Sequence, residues 1–584
     1  MNLGERFLFN SIDNTLPEIR LGNIYKEDPT LQSYMQYYMS GDLSRVEPDL
    51  QRMGERSTSI YHQHGVQAEL NPPKHVSHNV YGKRVDELVL HQGWKNMKGF
   101  SAEEGLISIP YTTNLRNARV YQAAKLYMFG ANSGLYNCPL AMTDGAAYLV
   151  SQLKKHSPEN MTPELDAAFK RLISREPSNF WTSGQWMTEK NGGSDVTKAT
   201  QTVAIQGDNG RYKLYGYKWF SSATDADMTF ALAKIVPNSV KDPTDVDLAA
   251  IKPSLFFVRV RRDCGALNNI EIVRLKDKLG TRQLPTAELI LRGTDAQLIG
   301  RSGQGIKIIS HMLNITRLHN SIAAVSGLRK ITNVVFDYSH RRQAFGRLIK
   351  DHPLHKQMIY GLEMNTRGNL LFVLEVASLL DKTDKNSQTA DDTTLLRLLT
   401  PVIKLFTAKE AIRWTGEGIE ALGALGFLED SHVPHILRDA YVLSIWEGTT
   451  NVLSHDFIRS VNDSSIAVLN SWILTKCRRM RELVSKRLSD ILEILKNPPL
   501  IEINARNISM NYGLIIVLSL LDANHAFQGG KENAFVMNHW ARRLEQEFTL
   551  EARPYDIKPD VLKKLVSHNF GKNKDHMNVE RPKL

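Results

Sequence analysis

The chain predicts an α+β protein: helical domains on either side of one β-rich segment. Three observations carry this. Apolar residues recur at helical spacing over the first ~175 residues. Strand-like alternation takes over between Thr200 and Leu291. Long periodic helical segments then run from Gly305 towards the carboxyl terminus. At 584 residues the chain is too long for one compact domain. The expected divisions are 1–180 (helical), 181–298 (β), 299–460 (helical bundle) and 461–584 (a further helical domain).

Each segment has its own signals. Leu88 to Met97 and Arg119 to Tyr127 are spaced as helices. Asn71-Pro72-Pro73 reads as a turn. Thr162-Pro163-Glu164 reads as a helix start, with Thr162 as N-cap and Pro163 first in the helix. Thr200 to Ile205 and Lys213 to Trp219 form a hairpin around Asp208-Asn209-Gly210. Met228 to Ile235, Ser254 to Arg261 and Thr286 to Leu291 are further strands, and 237–253 is a polar loop. Residues 384–392 form a polar connector between helices, and the final helical region breaks at Asn497-Pro498-Pro499 and Gln528-Gly529-Gly530. After Asn569 the polar composition predicts disorder.

The composition bounds the function. The longest apolar run, Gly513 to Leu521, is far short of the roughly 20 residues of a membrane helix. A net charge of +11 favours anionic partners, among them nucleotides, coenzyme A and nucleic acid, unless it is simply dispersed over the surface. Residues 461–584 carry 19 basic against 14 acidic side chains. Arg478-Arg479, Arg542-Arg543 and Lys563-Lys564 interleave with acids there, so any nucleic-acid binding is expected to be weak and salt-dependent. The three cysteines, Cys138, Cys264 and Cys477, form no Cys-x-x-Cys pair, so neither a disulfide framework nor a zinc site is expected. Acids near the amino terminus argue against a mitochondrial leader, and Arg581-Pro582-Lys583-Leu584 stands one residue from a peroxisomal Ser-Lys-Leu. A cytoplasmic location is expected, with mitochondrion and peroxisome left open.

Four stretches suit chemistry. Met187-Thr188-Glu189 leads through Gly192-Gly193-Ser194 to Asp195, a glycine-rich backbone with hydroxyls, suited to cradling a large planar cofactor. Lys218-Trp219-Phe220-Ser221-Ser222 offers an indole for a ring and hydroxyls for its polar edge. Arg341-Arg342-Gln343-Ala344-Phe345-Gly346 offers guanidinium groups for a diphosphate. Trp446-Glu447-Gly448-Thr449 places one carboxylate after an apolar stretch, where desolvation would raise its pKa and make it a better base near neutrality. Gly416-Glu417-Gly418-Ile419-Glu420-Ala421 fits Gly-x-Gly-x-x-Ala formally, but it lies in a helical pattern and not after a strand, which argues against dinucleotide binding.

The order of these stretches resembles the acyl-CoA dehydrogenase family. The anchors also include Leu279-Gly280-Thr281-Arg282, Glu420-Ala421-Leu422-Gly423 and Arg438-Asp439-Ala440, spanning about residues 180–460. Asn71-Pro72-Pro73 leading to Val85-Asp86-Glu87-Leu88, together with the extra carboxyl-terminal helices, is similar to the AidB subgroup. The resemblance implies FAD bordered by Met187, Thr188, Gly193 and Ser194, with Trp219 and Ser221 against its ring. It implies that Arg342, Phe345, Glu420 and Gly423 reach the FAD of a neighbouring subunit, and that Thr449 and Asn451 close on the adenosine diphosphate side. Glu447 falls on the catalytic base, with Ser194, Asn314 and Arg317 on the substrate side. Ala424, Pro353 and Asn314 depart from the family's usual glycine, glutamine and aspartate.

That resemblance implies α,β-dehydrogenation of a fatty acyl-CoA of medium to long chain by a homo-oligomer, a tetramer being expected. Electron-transferring flavoprotein or oxygen would be the acceptor. The rival expectation is a flavin-containing protein that sequesters acyl-CoA or binds nucleic acid with little turnover.

Overall fold

A computed structural model describes residues 2–12, 16–207, 210–240, 242 and 245–551. The expected disorder after Asn569, the Lys563-Lys564 pair, the terminal Arg-Pro-Lys-Leu and the Asp208-Asn209 tip lie outside the described residues. Among the described residues no helix is long and apolar enough to cross a membrane.

Helices dominate the first 172 residues, as the spacing predicts. Helix Ala118–Gly130 contains Arg119 to Tyr127. Thr162 Oγ1 accepts from Leu165 N at 3.2 Å and Pro163 opens the next helix, the cap and first position read from the sequence. One reading is corrected. Leu88 and Val89 belong to a hairpin, β1 (Lys74–His78) with β2 (Arg84–Val89), and the helix begins only at Gln92. The alternation of Val85, Glu87 and Val89 against Asp86 and Leu88 is a strand period, and Asp86, held by Arg84 and His75, fixes the hairpin.

Strands β3 (Ser183–Trp186), β4 (Val203–Gln206), β5 (Tyr212–Ser221), β6 (Met228–Ile235), β7 (Ser254–Arg259), β8 (Ile270–Leu275) and β9 (Ala287–Ile299) build the central domain. The sheet order is β3-β6-β4-β5-β9-β7, with β8 on β9, and the β6–β7 pairing closes β6, β4, β5, β9 and β7 into a ring. The predicted hairpin is the antiparallel β4–β5 pair. β6 explains why its sequence is apolar throughout. Met228, Phe230 and Leu232 face the helical core, and Ala231 and Ala233 face the sheet's own core. β3 and β8 have no counterpart in the sequence reading, and β9 continues past the expected end at Leu291. Gly293, at φ +76°, is the extra residue of a bulge opposite Leu214 and Tyr215, so a glycine that reads as a terminator carries the strand onward.

The bundle is made of helices Gly305–Ser339, Pro353–Asp384 and Ala390–Ala421, with shorter helices Pro434–Leu443 and Thr450–Ser460. The polar connector at 384–392 is the break between two of them, capped by the reciprocal Thr389–Asp392 pair. Between Arg342 and Ile349 a two-residue hairpin, β10 (Gln343–Ala344) with β11 (Arg347–Leu348), projects from the bundle.

Four more helices, Asp463–Lys476, Arg481–Leu495, Pro498–Gln528 and Lys531–Glu547, follow and share one buried core with the bundle. Leu469, Ile473, Ile515 and Trp540 are all fully buried. A Cβ on Gly513 would stand 2.2 Å from the Phe406 ring, so only glycine lets these two helices meet. Of the basic pairs of this region, Arg543 is buried, while Arg478, Arg479 and Arg542 are exposed. Arg543 pairs with Glu410 and Glu547, and the Arg478 and Arg479 amides donate to Asp522.

Candidate active site

The Met187–Asp195 loop leaves the end of β3, and the structure ties it to the end of β5. The Trp219 amide donates to the Thr188 carbonyl at 3.0 Å, so the two sequence stretches are neighbours. Glu189 is the buried clamp between them. Its carboxylate accepts from Lys218 Nζ (2.6 Å), Thr202 Oγ1 (2.6 Å) and Gln201 N (2.6 Å). Gly192 closes the loop by exchanging backbone hydrogen bonds with Glu189. Gly193 and Ser194 are exposed, Met187 and Thr188 half-buried, so this rim is open to a ligand. Trp219 is half-buried, with Lys276 Nζ 3.1 Å from its ring centroid. Ser221 is fully buried, and its hydroxyl has no hydrogen-bond partner among the described residues.

Glu447 stands in a turn between helices Pro434–Leu443 and Thr450–Ser460. It holds a left-handed φ of +56°, followed by Gly448 at +105°. A non-glycine residue in this region costs energy and persists only where the surroundings enforce it. Trp446 Nε1 anchors one side by donating to Asn320. The Glu447 carboxylate accepts from Thr316 Oγ1 at 2.6 Å. Burial raises its pKa; the Thr316 bond, Arg317 and Lys404 oppose that rise without cancelling it. Arg317 does not pair with Glu447 directly. Its guanidinium donates to Asp456 at 2.9 Å, and Arg397 takes the other Asp456 oxygen. Asn314 is half-buried one turn earlier on the Arg317 helix.

The remaining anchors divide into two groups. Thr281 N and Gln283 Nε2 donate to the Asp439 carboxylate, at 2.5 and 3.3 Å, joining the Leu279–Arg282 loop to Arg438-Asp439-Ala440. Arg342, Phe345, Glu420 and Gly423 lie at the outer end of the bundle, around the apolar cluster of Tyr338, Ile349, Ile419 and Leu422. Phe345 is the tip of the β10–β11 hairpin and 96% exposed, and Glu420 and Gly423 are also exposed. Thr449 caps the Thr450–Ser460 helix by position, and Asn451 accepts from Arg506 of the Pro498–Gln528 helix at 3.2 Å. Ala424 lies in a short 3₁₀ turn, and Pro353 opens its helix.

Three contacts around the candidate site have no counterpart in the sequence reading: the Glu189–Lys218 pair, Thr316 and Lys404. Lys404 had a signal of its own. It is the one charge in the apolar run from Leu398 to Phe406, and it is fully buried.

Residues 14–171 match the AidB N-terminal domain, 184–294 the acyl-CoA dehydrogenase middle domain and 303–461 the acyl-CoA dehydrogenase C-terminal domain. The chain belongs to the acyl-CoA dehydrogenase family, FAD-dependent oxidoreductases, in its AidB-like branch. It is 44% identical over 446 residues to acyl-CoA dehydrogenase family member 11 of Caenorhabditis elegans, an alignment covering 75% of this chain and 70% of that one. Over 398 residues it is 28% identical to AidB of Escherichia coli, covering 68% and 70%. The crystal structure of Caenorhabditis elegans ACDH-11 in complex with C11-CoA superposes with a TM-score of 0.89 at 36% identity, covering 96% of this chain and 97% of that one.

Proposed function

We propose that this protein dehydrogenates the α,β bond of a medium- to long-chain fatty acyl-CoA, with Glu447 as the base. One observation carries the reading: a buried carboxylate whose pKa burial raises, held in an enforced left-handed turn with a single hydroxyl donor. Such a group can take the α-proton without first giving up an ion pair. The Glu447 backbone N–H has no backbone acceptor among the described residues, which suits it to the thioester oxygen as negative charge develops there. Each donor of this kind is worth about 3–4 kcal/mol in comparable sites.

The residues present fit FAD. Ser221 offers a buried hydroxyl lacking a partner among the described residues, Trp219 a half-buried indole, and Thr188 to Ser194 an accessible glycine-rich rim. Met187 borders the same rim, and Thr449 and Asn451 would close on the adenosine diphosphate side. FAD, when bound, would accept the β-hydrogen as hydride. The chain's part is to hold the ring, place Glu447 and exclude water.

Arg342, Phe345, Glu420 and Gly423 would serve the FAD of a neighbouring subunit in a homo-oligomer, a tetramer in this reading. A fully exposed aromatic at a hairpin tip supports that assignment. The chain is read as dividing at 1–180, 181–298, 299–460 and 461–584, a reading supported by the matched segments 14–171, 184–294 and 303–461. Ser194, Asn314 and Arg317 would face coenzyme A and the thioester. The acceptor would be electron-transferring flavoprotein or oxygen, and the compartment the cytoplasm. The worm structure with C11-CoA supports an acyl chain of about that length.

The test is anaerobic addition of acyl-CoAs of graded length to the purified yellow protein, with flavin bleaching as the readout. Bleaching that peaks near eleven carbons is the expected result. A flavoprotein that binds every acyl-CoA and bleaches with none is a sequestering protein instead. Arg342→Ala should weaken FAD retention; a monomer with full flavin occupancy would defeat the shared-site reading.

A further inference from the structure

Lys404 is fully buried on the Ala390–Ala421 helix, and no carboxylate lies within 4.0 Å of its Nζ among the described residues. Its hydrogen-bond acceptor is the Gly448 carbonyl, at 2.6 Å. Burying a long cationic chain against a single carbonyl is costly. The residue that Lys404 contacts here is the one after Glu447.

We infer that Lys404 is the positioning residue of Glu447: its side chain holds the Gly448 carbonyl, fixes the left-handed turn, and sets a cationic group beside the Glu447 carboxylate. The inference rests on Glu447 being the base. Two geometric facts support it. Glu447 and Gly448 both hold positive φ, so the turn needs restraint from outside its own backbone. Trp446, bonded to Asn320, restrains the turn before Glu447, and Lys404 restrains it after, so the base is held from both sides.

The charged groups acting on the pair are few. Arg317, on the Gly305–Ser339 helix, faces both Glu447 and Lys404 and is paired to Asp456 of the Thr450–Ser460 helix. Arg397, two turns before Lys404, occupies the other Asp456 oxygen. Cys138, on the Asn137–His156 helix, faces Glu447. The single Asp456 carboxylate stands against both arginines, and Arg317 still acts on Glu447; Lys404 differs in having no carboxylate within 4.0 Å among the described residues. Burial brings Lys404 down to about 7, with Glu447 opposing that and Arg317 adding to it.

The experiment is the pH dependence of anaerobic flavin reduction by undecanoyl-CoA in the FAD-loaded parent, Lys404→Met, Lys404→Arg and Glu447→Gln, with flavin content and circular dichroism recorded for each. Lys404→Met removes donor and charge at similar length. Its acidic limb should move to higher pH by about one unit, a fall in rate of up to about tenfold at pH values on that limb. Lys404→Arg should restore the limb, because it keeps the charge. A Lys404→Met protein with full flavin content and the parental profile overturns the inference. Should Lys404→Met not retain flavin, Lys404→Gln decides by the same criterion, since it keeps a donor and loses the charge: an unmoved limb overturns the electrostatic role. Glu447→Gln separates this failure from that of the base. If Glu447→Gln bleaches like the parent, the base reading falls and the inference with it, whatever the lysine variants do.

Discussion

Two carboxylates touch the same helix, Gly305–Ser339, within one turn of each other, and they are opposites. Asp144 accepts from Tyr111, Arg119, Gln122 and His319, at 2.6 to 3.0 Å. Glu447 accepts from Thr316. Burial alone would raise both pKa values. At Asp144 the Arg119 guanidinium and the other donors reverse the effect and hold it well below the usual carboxylate range. At Glu447 burial prevails and the pKa stays raised. The number of donors decides which carboxylate fixes structure and which can take a proton.

The comparison breaks most visibly at Asp144. Asp144→Ala leaves the fully buried Arg119 with one remaining carboxylate, Asp384, and should cost about 3–5 kcal/mol in denaturant unfolding. A loss under about 1 kcal/mol would show that the network is not structural. Its pH dependence has a definite sign. A depressed carboxylate contributes stability above its unfolded value of about 3.9, and that stability is lost as pH falls through the folded value.

Glu447→Gln has the reverse profile. Flavin reduction should fall by about 10²-fold or more while FAD and acyl-CoA still bind. Because the folded pKa is raised, ionisation of Glu447 opposes folding at neutral pH, so the amide should not lower the melting temperature. A clear loss of thermal stability would place Glu447 in the same class as Asp144.

Thr316→Val removes the Glu447 donor. The acidic limb of flavin reduction should move to higher pH, by the roughly 1.5–3 kcal/mol of a hydrogen bond to a charged group at most. An unchanged limb would mean that Thr316 does not tune the base. Glu429→Gln is the smallest change. Glu429 is an exposed partner of Arg438, so stability should shift by less than about 1 kcal/mol and bleaching should not change.

Local signals were read correctly where local chemistry decides. The Thr162 cap with Pro163, the breaks at Asn497 and Gly529, and the hairpin of β4 and β5 each depend on residues within a few positions. β3 was not legible, because Ser183-Gly184-Gln185-Trp186 has little strand preference and is a strand through its parallel pairing with β6. Leu88 was misassigned because a short apolar run fits either period. At the site, Glu447 could be singled out by its place between an aromatic and a glycine. Thr316 could not, since a threonine in a helix carries no mark of what its hydroxyl will meet across 131 positions.

The sequence by itself determined the α+β layout, the anchor motifs and the candidate base, because helix period, strand alternation and glycine-rich turns are properties of neighbouring residues. Tertiary structure alone decided which carboxylates are saturated. Glu189, Asp144 and Glu447 are equivalent acids in the sequence. The fold gives the first a buried lysine, the second an arginine and a histidine, and the third a hydroxyl with a lysine beside its turn. The physical reason is that a pKa depends on desolvation and on the donors within about 3–6 Å, and here those come from distant parts of the chain.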